Sequence, residues 1–204
     1  MRKFLFVLFI LLTFLLTAEE NLDISLKEVT IIDLCNYPNL TEAIVDLLYL
    51  TVDNLWHAGK YSKIFPIFYL ITKIAPYDVN AYAVGGWFLI NGIAPKYSDR
   101  KKEEIKNYAI EFMKNGIKKN PSDYRLYFEI AWFYYNEKNY DEAIKYLEIA
   151  ENYEHPFHVE NLKAHIYMKI NNKTKAIEVW KKIKEKYPEK KEVAEKFIRK
   201  LEEE

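Results

Sequence analysis

Between residues 127 and 156 the chain reads YFEIAWFYYNEKNYDEAIKYLEIAENYEHP, a run in which small and bulky apolar positions alternate. Small residues stand at Ala131, Ala143 and Ala150, bulky ones at Tyr134, Tyr140 and Leu147, and Pro156 closes the run. Thirty-three residues after Ala131, Tyr134, Ala143 and Leu147 come Ala164, Tyr167, Ala176 and Trp180. Thirty-four residues before Ala143, Leu147 and Ala150 come Ala109, Met113 and Gly116. Self-similarity with a period near 34 residues predicts a solenoid of helix pairs. The small residues have a physical purpose. Antiparallel helices approach closely only where one surface is lowered to alanine or glycine, so that a ring from the facing helix fills the groove. Proline then ends the second helix and turns the chain into the next pair.

The pattern resembles the tetratricopeptide repeat, whose small residues fall at repeat positions 8, 20 and 27 with proline near 32, and NYDEAIKYLEIA is similar to that family's second helix. The resemblance implies an all-α, right-handed solenoid of stacked antiparallel helix pairs. Aligned on it, four units cover residues 45–78, 79–123, 124–157 and 158–190. Ile64 and Ile71 replace alanines in the first unit, and Glu160 replaces a large apolar residue in the fourth. Leu55 to Leu89 is 34 residues and Leu89 to Tyr134 is 45, whereas Phe68 to Met113 is 45 and Met113 to Leu147 is 34. An insertion of eleven residues therefore lies between Leu89 and Ala109, where NGIAPKYSDRKKEE carries Gly92, Pro95 and a Ser-Asp helix start. It is open whether the insertion contributes to binding or is a tolerated loop or a lengthened helix start. Residues 191–204 place Val193, Ala194, Phe197 and Leu201 on one stripe of a charged helix, which predicts a cap for the last unit. Residues 19–44 are expected to form a linker and a capping helix at the other end.

In this family the first helix of each pair lines a concave groove. Carried across, the resemblance puts Tyr49, Asp53 and Trp56 on that surface in the first unit and Trp87 in the second. The third unit supplies Arg125, Phe128, Trp132 and Tyr135, and the fourth supplies Asn161 and His165. Three of four tryptophans fall there, and rings give much contact area for little side-chain entropy. Trp180 falls at an inter-helix packing position instead. The lysine and asparagine pattern with which some relatives clamp a terminal carboxylate is absent, so an extended or helical peptide with apolar anchors suits the groove better.

Composition narrows the function further. Lysine plus arginine and aspartate plus glutamate balance at 30 each, so no overall field draws in nucleic acid or an anionic membrane. Arg2 and Lys3 precede an apolar run from Phe4 to Ala18, with Glu19 and Glu20 behind it. This is an export signal pattern. Fifteen helical residues reach about 22 Å, short of a ~30 Å hydrocarbon layer. Leu16 departs from the preferred cleavage pattern, so residues 1–18 fit either a signal peptide or a retained anchor, with membrane contact through this segment alone. Either fate puts the rest of the chain outside the cytoplasm. Cys35, the only cysteine, stands in an apolar context and reads as a small hydrophobe.

Candidate chemistry is sparse. His155, His158 and His165, near Glu151, Glu154 and Glu160, are the one cluster from which a metal-binding or enzymatic reading can be built. No nucleophile elbow, phosphate loop or HExxH helix occurs. The expected function is a non-enzymatic scaffold without cofactor that binds a protein or peptide, as relatives with leaders do in assembling envelope complexes. A self-associating structural repeat protein is the other alternative.

Overall fold

A computed structural model describes residues 38–203 of the 204-residue chain. The leader, Cys35 and most of the expected amino-terminal linker and cap lie outside these residues. The described chain is all-helical: α1 Pro38–His57, α2 Ile64–Ile74, α3 Val79–Phe88, α4 Asp99–Lys119, α5 Tyr124–Asn136, α6 Tyr140–Ala150, α7 His158–Lys169, α8 Lys173–Lys186 and α9 Lys191–Glu203. Helix α1 begins at Pro38, so residues 38–44 are its opening turns and not a separate cap. Among the described residues no helix is long and apolar enough to cross a membrane.

Local chemistry fixes where the helices start and turn. Asp78, Asp123, Asn139 and Asn172 each cap a helix, their side chains accepting from the backbone N–H of Ala81, Arg125, Glu142 and Lys175. Between the first and second helices of three pairs, one residue takes a left-handed conformation: Gly59 (φ 68), Lys138 (φ 60) and Asn171 (φ 57). At each turn the same two backbone bonds close the first helix, as in Lys138 N–H to Tyr135 O and Asn139 N–H to Tyr134 O at 3.0 and 2.9 Å. The second pair lacks this turn. A π-helical turn, Leu89–Ile93, and a 3-10 turn, Ala94–Lys96, run instead into a 21-residue α4.

The helices stack in chain order as α1/α2, α3/α4, α5/α6 and α7/α8, with α9 laid on α8. Each apolar cluster fills one pair and reaches the first helix of the next. Ile44, Phe68 and Ile71 join Ala81 and Phe88, while Tyr82 and Met113 join Leu126 and Ile130. Ala143 and Leu147 join Val159 and Ile166, and Trp180 and Ile183 join Ala194 and Ile198. The repeated alanines 109, 131, 143, 150, 164 and 176 are all fully buried. A β-carbon on Gly86 would stand 2.6 Å from Met113 Cγ, and one on Gly116 2.5 Å from Tyr82 Cγ. Those seams are closed to any larger residue. On α9 the buried stripe is Ala194, Ile198 and Leu201, with Phe197 packed beside it, and Val193 is exposed. The stripe read from sequence was one position out at its start.

Candidate partner-binding cleft

Helices α3 and α5 lie side by side as first helices of successive pairs, and each presents a tryptophan. Trp87 is 43% exposed and Trp132 42%, a large apolar area to leave in water, whereas Trp180 is at 0%. Between the two exposed indoles runs a cleft of about 330 Å³. Trp87, Ile90 and Asn91 form one wall, Glu129, Trp132, Phe133, Asn136 and Glu137 the opposite one, and Met113 lines it too. The inserted segment supplies Pro95, Lys102 and Lys106.

Two charged groups in the cleft differ sharply. Lys106 is buried, and its ammonium donates to Glu103 Oε1 at 3.0 Å and Glu137 Oε1 at 2.8 Å. Burial disfavours that charge, but the two glutamates outweigh burial and raise the ammonium above its ordinary pKa. The pair with Glu137 also ties the long α4 to the end of α5. Glu129 is half-buried, and among the described residues no hydrogen bond or ion pair reaches its carboxylate. Burial alone pushes its carboxyl up.

The remaining groove residues divide. Phe128 stacks on Trp132 at 6.4 Å, and Tyr135 tilts against the same indole at 5.4 Å, so α5 carries a continuous aromatic row. Phe128 also meets His158 edge-on at 4.5 Å, which extends the row to α7. Trp56 is 43% exposed but packs against Tyr61 and Phe88, outside the cleft. Tyr49 donates to Asp78 Oδ2 at 2.9 Å and packs against Phe68, which makes it a strut of the first pair. Asp53 is exposed beside His57 at 3.5 Å. Arg125 donates to Asp123 and, at 3.1 Å, to Asn80 Oδ1, beside a separate shallow depression of Asp123, Tyr124 and His155. Asn161 is half-buried on α7. His165 packs edge-on against the stacked rings of Trp180 at 5.4 Å and Phe197 at 5.2 Å, away from the cleft. Lys106, Glu129 and Glu137 were not anticipated. Glu129 lies three residues before Trp132, one helical turn away on the same face, and that spacing was the available signal.

The histidines do not converge. His155 is buried with Nε2 2.9 Å from Glu160 Oε1, His158 faces Tyr124 and Phe128, and His165 faces Trp180. Among the described residues no group of three or more histidine, cysteine or acidic side chains could hold a metal ion. The metal-site alternative built on His155, His158 and His165 therefore lacks its geometry. The charge at Glu160 has a structural use instead. Fully buried, its carboxylate accepts from Lys186 Nζ at 2.9 Å and from the Tyr187 hydroxyl at 3.0 Å. Burial would raise its carboxyl, but the bonds from Lys186 and His155 outweigh burial and hold it below the usual carboxylate range. The group joins the α6–α7 connection to the end of α8.

Comparison with known proteins agrees with this architecture. The tetratricopeptide repeat family model matches residues 125–153 and 163–190. A thermophilic tetratricopeptide repeat protein of Thermus thermophilus superimposes with a TM-score of 0.58 at 15% identity, covering 80% of this chain and 88% of its own. Pseudomonas aeruginosa pilF gives 0.52 at 15% identity, over 70% of this chain and 60% of that one. The MamA protein gives 0.51 at 17% identity, over 78% and 90%. At these identities the likeness is one of fold. No curated protein matches the sequence.

Proposed function

We propose that this chain is a tetratricopeptide repeat scaffold that holds a partner polypeptide against the aromatic face of α3 and α5. Repeats of this family serve protein–protein contact and are generally non-enzymatic. The observation that carries the reading is the pair Trp87 and Trp132, two half-exposed indoles lining one cleft. Aromatic anchors flanked by polar groups are what a protein interface uses at its centre. Phe128 and Tyr135 extend the apolar surface along α5, giving an extended or helical segment more than one point of attachment.

The reading includes location. Arg2, Lys3 and the apolar run to Ala18 support export or anchoring, and a scaffold outside the cytoplasm is suited to the assembly of an envelope complex. An alkaline phosphatase fusion placed after the last residue reports that location by its activity.

The cleft is tested by photo-crosslinking in the native host. A crosslinking residue at Asn91 or Asn136 should capture one polypeptide, and the same residue at Tyr69, on α2 outside the cleft, should not. Trp87→Ala with Trp132→Ala should abolish capture at Asn136 while helicity and melting temperature stay close to wild type. Equal capture from both faces, or unfolding of the double variant, would show that the rings are packing residues.

A further inference from the structure

The cleft's chemistry specifies more than an apolar anchor, and the inference drawn from it rests on the scaffold reading. Two indoles line it from neighbouring helices, and the Glu129 carboxylate joins them one turn before Trp132. Lys106 does not neutralise that carboxylate, because its ammonium is already held by Glu103 and Glu137. With Glu103 counted, two lysines, Lys102 and Lys106, stand against three glutamates, and the balance is one negative charge at Glu129. About 330 Å³ is near the lower end for ligand pockets, too small for a folded element. A half-buried carboxylate without a partner among the described residues is an unfavourable arrangement, and an incoming cation relieves it. Indole faces are the best of the aromatic surfaces for a cation.

We propose that the cleft receives one basic side chain of the bound polypeptide, a lysine or an arginine, with its cation against Trp87 and Trp132 and its charge met by the Glu129 carboxylate. The apolar stem of that side chain packs along Ile90 and Phe133. Flanking apolar residues of the same segment lie on Phe128 and Tyr135. Acidic side chains are rejected at this position by Glu129, which gives the groove a sign preference that the neutrality of the whole chain conceals.

Short random peptides displayed on phage and panned against the full-length chain supply the probes. Peptides that bind wild type but not the Trp87→Ala/Trp132→Ala variant should share a lysine or arginine at one position. Replacing that residue by norleucine should weaken binding to wild type about tenfold and binding to Glu129→Gln less than about twofold. Glu129→Gln severs no hydrogen bond or ion pair among the described residues, so its melting temperature serves as the control for folding. Groove-dependent peptides with no shared basic residue, or with a shared acidic one, overturn the proposal and leave the scaffold reading standing. An equal norleucine penalty on wild type and Glu129→Gln also overturns it. Binding indifferent to both tryptophans sinks the scaffold reading together with the proposal. Displacement of the peptides by a synthetic 19–37 segment, or their exclusion by a cleft-dependent dimer of the chain in sedimentation, assigns the cleft to the chain itself and overturns the proposal.

Discussion

At the scale of single residues, two glutamates on neighbouring first helices show opposite electrostatics. Glu160 is fully buried and bonded to Lys186 and Tyr187, and Glu129 is half-buried without a partner among the described residues. A carboxyl held below its ordinary pKa adds stability above the unfolded value of about 4.3, and that stability is lost as pH falls through the lowered folded value. Glu160 therefore supports the fold at neutral pH and ceases to in acid. A carboxyl raised by burial does the reverse. Glu129 costs stability at neutral pH, and the cost is relieved as pH falls through its raised value toward the unfolded one. Urea unfolding should accordingly find Glu160→Gln less stable than wild type by about 1–3 kcal/mol at pH 7, with the gap narrowing in acid. Glu129→Gln should be at least as stable as wild type at pH 7, and its difference should also shrink in acid. Equal destabilisation by the two changes would refute this assignment of partners.

At the scale of elements, backbone conformation and helix approach set the sign of a glycine exchange. Lys138 sits at φ 60 in the α5–α6 turn, where Gly59 serves the α1–α2 turn. Lys138→Gly removes a Cβ from that left-handed position and should raise stability by up to about 1 kcal/mol. Gly116 lies within α4, where alanine would gain about 1 kcal/mol of helix propensity. Its new Cβ, however, would stand 2.7 Å from Leu126 Cδ1 and 2.8 Å from Tyr82 Cβ, and the latter is fixed to its own backbone. Overpacking of that kind costs about 1–3 kcal/mol, so Gly116→Ala should lower the urea midpoint. The same contrast explains what the sequence made legible. Alanines at 131, 143, 164 and 176 are each demanded by a close seam, and their spacing revealed the helix pairs. Counting from Leu89 to Ala109 located the insertion and left a loop or a lengthened helix start open. The 21-residue α4 takes the second form, while the π-helical turn at Leu89–Ile93 leaves no periodic mark. In the cleft, repeat positions pointed to Trp87 and Trp132. Lys106 and Glu129 went unread, because a charged residue in a helical pattern looks solvent-exposed until the neighbouring helix covers it. Tyr49 and His165 occupy groove positions of the repeat, yet Asp78 holds the first and the second packs against the stacked Trp180 and Phe197.

At the scale of the whole molecule, a stack in which helices touch mainly their chain neighbours transmits stability only step by step. The carboxy-terminal end makes this testable, because a single element closes it. Phe197 of α9 lies parallel to Trp180, with centroids 4.4 Å apart and planes 7° from coincidence, and Ala194, Ile198 and Leu201 complete the seal. Trp180, at 0% exposure, has no other cover on that side of the last pair among the described residues. Phe197→Ala removes the stacked ring and should cost about 2–3 kcal/mol locally. If coupling runs from neighbour to neighbour, hydrogen exchange should quicken in α7, α8 and α9 and fade toward α5, with α2 and α3 unchanged. Trp180 emission should shift to the red in the same variant, while capture at Asn136 persists because the cleft lies between the second and third pairs. Exchange that rises uniformly from α1 to α9 would instead mean that the four pairs melt as one unit. A ligand in the cleft would then stabilise the end helices as strongly as α3 and α5, which in a stepwise stack it does not.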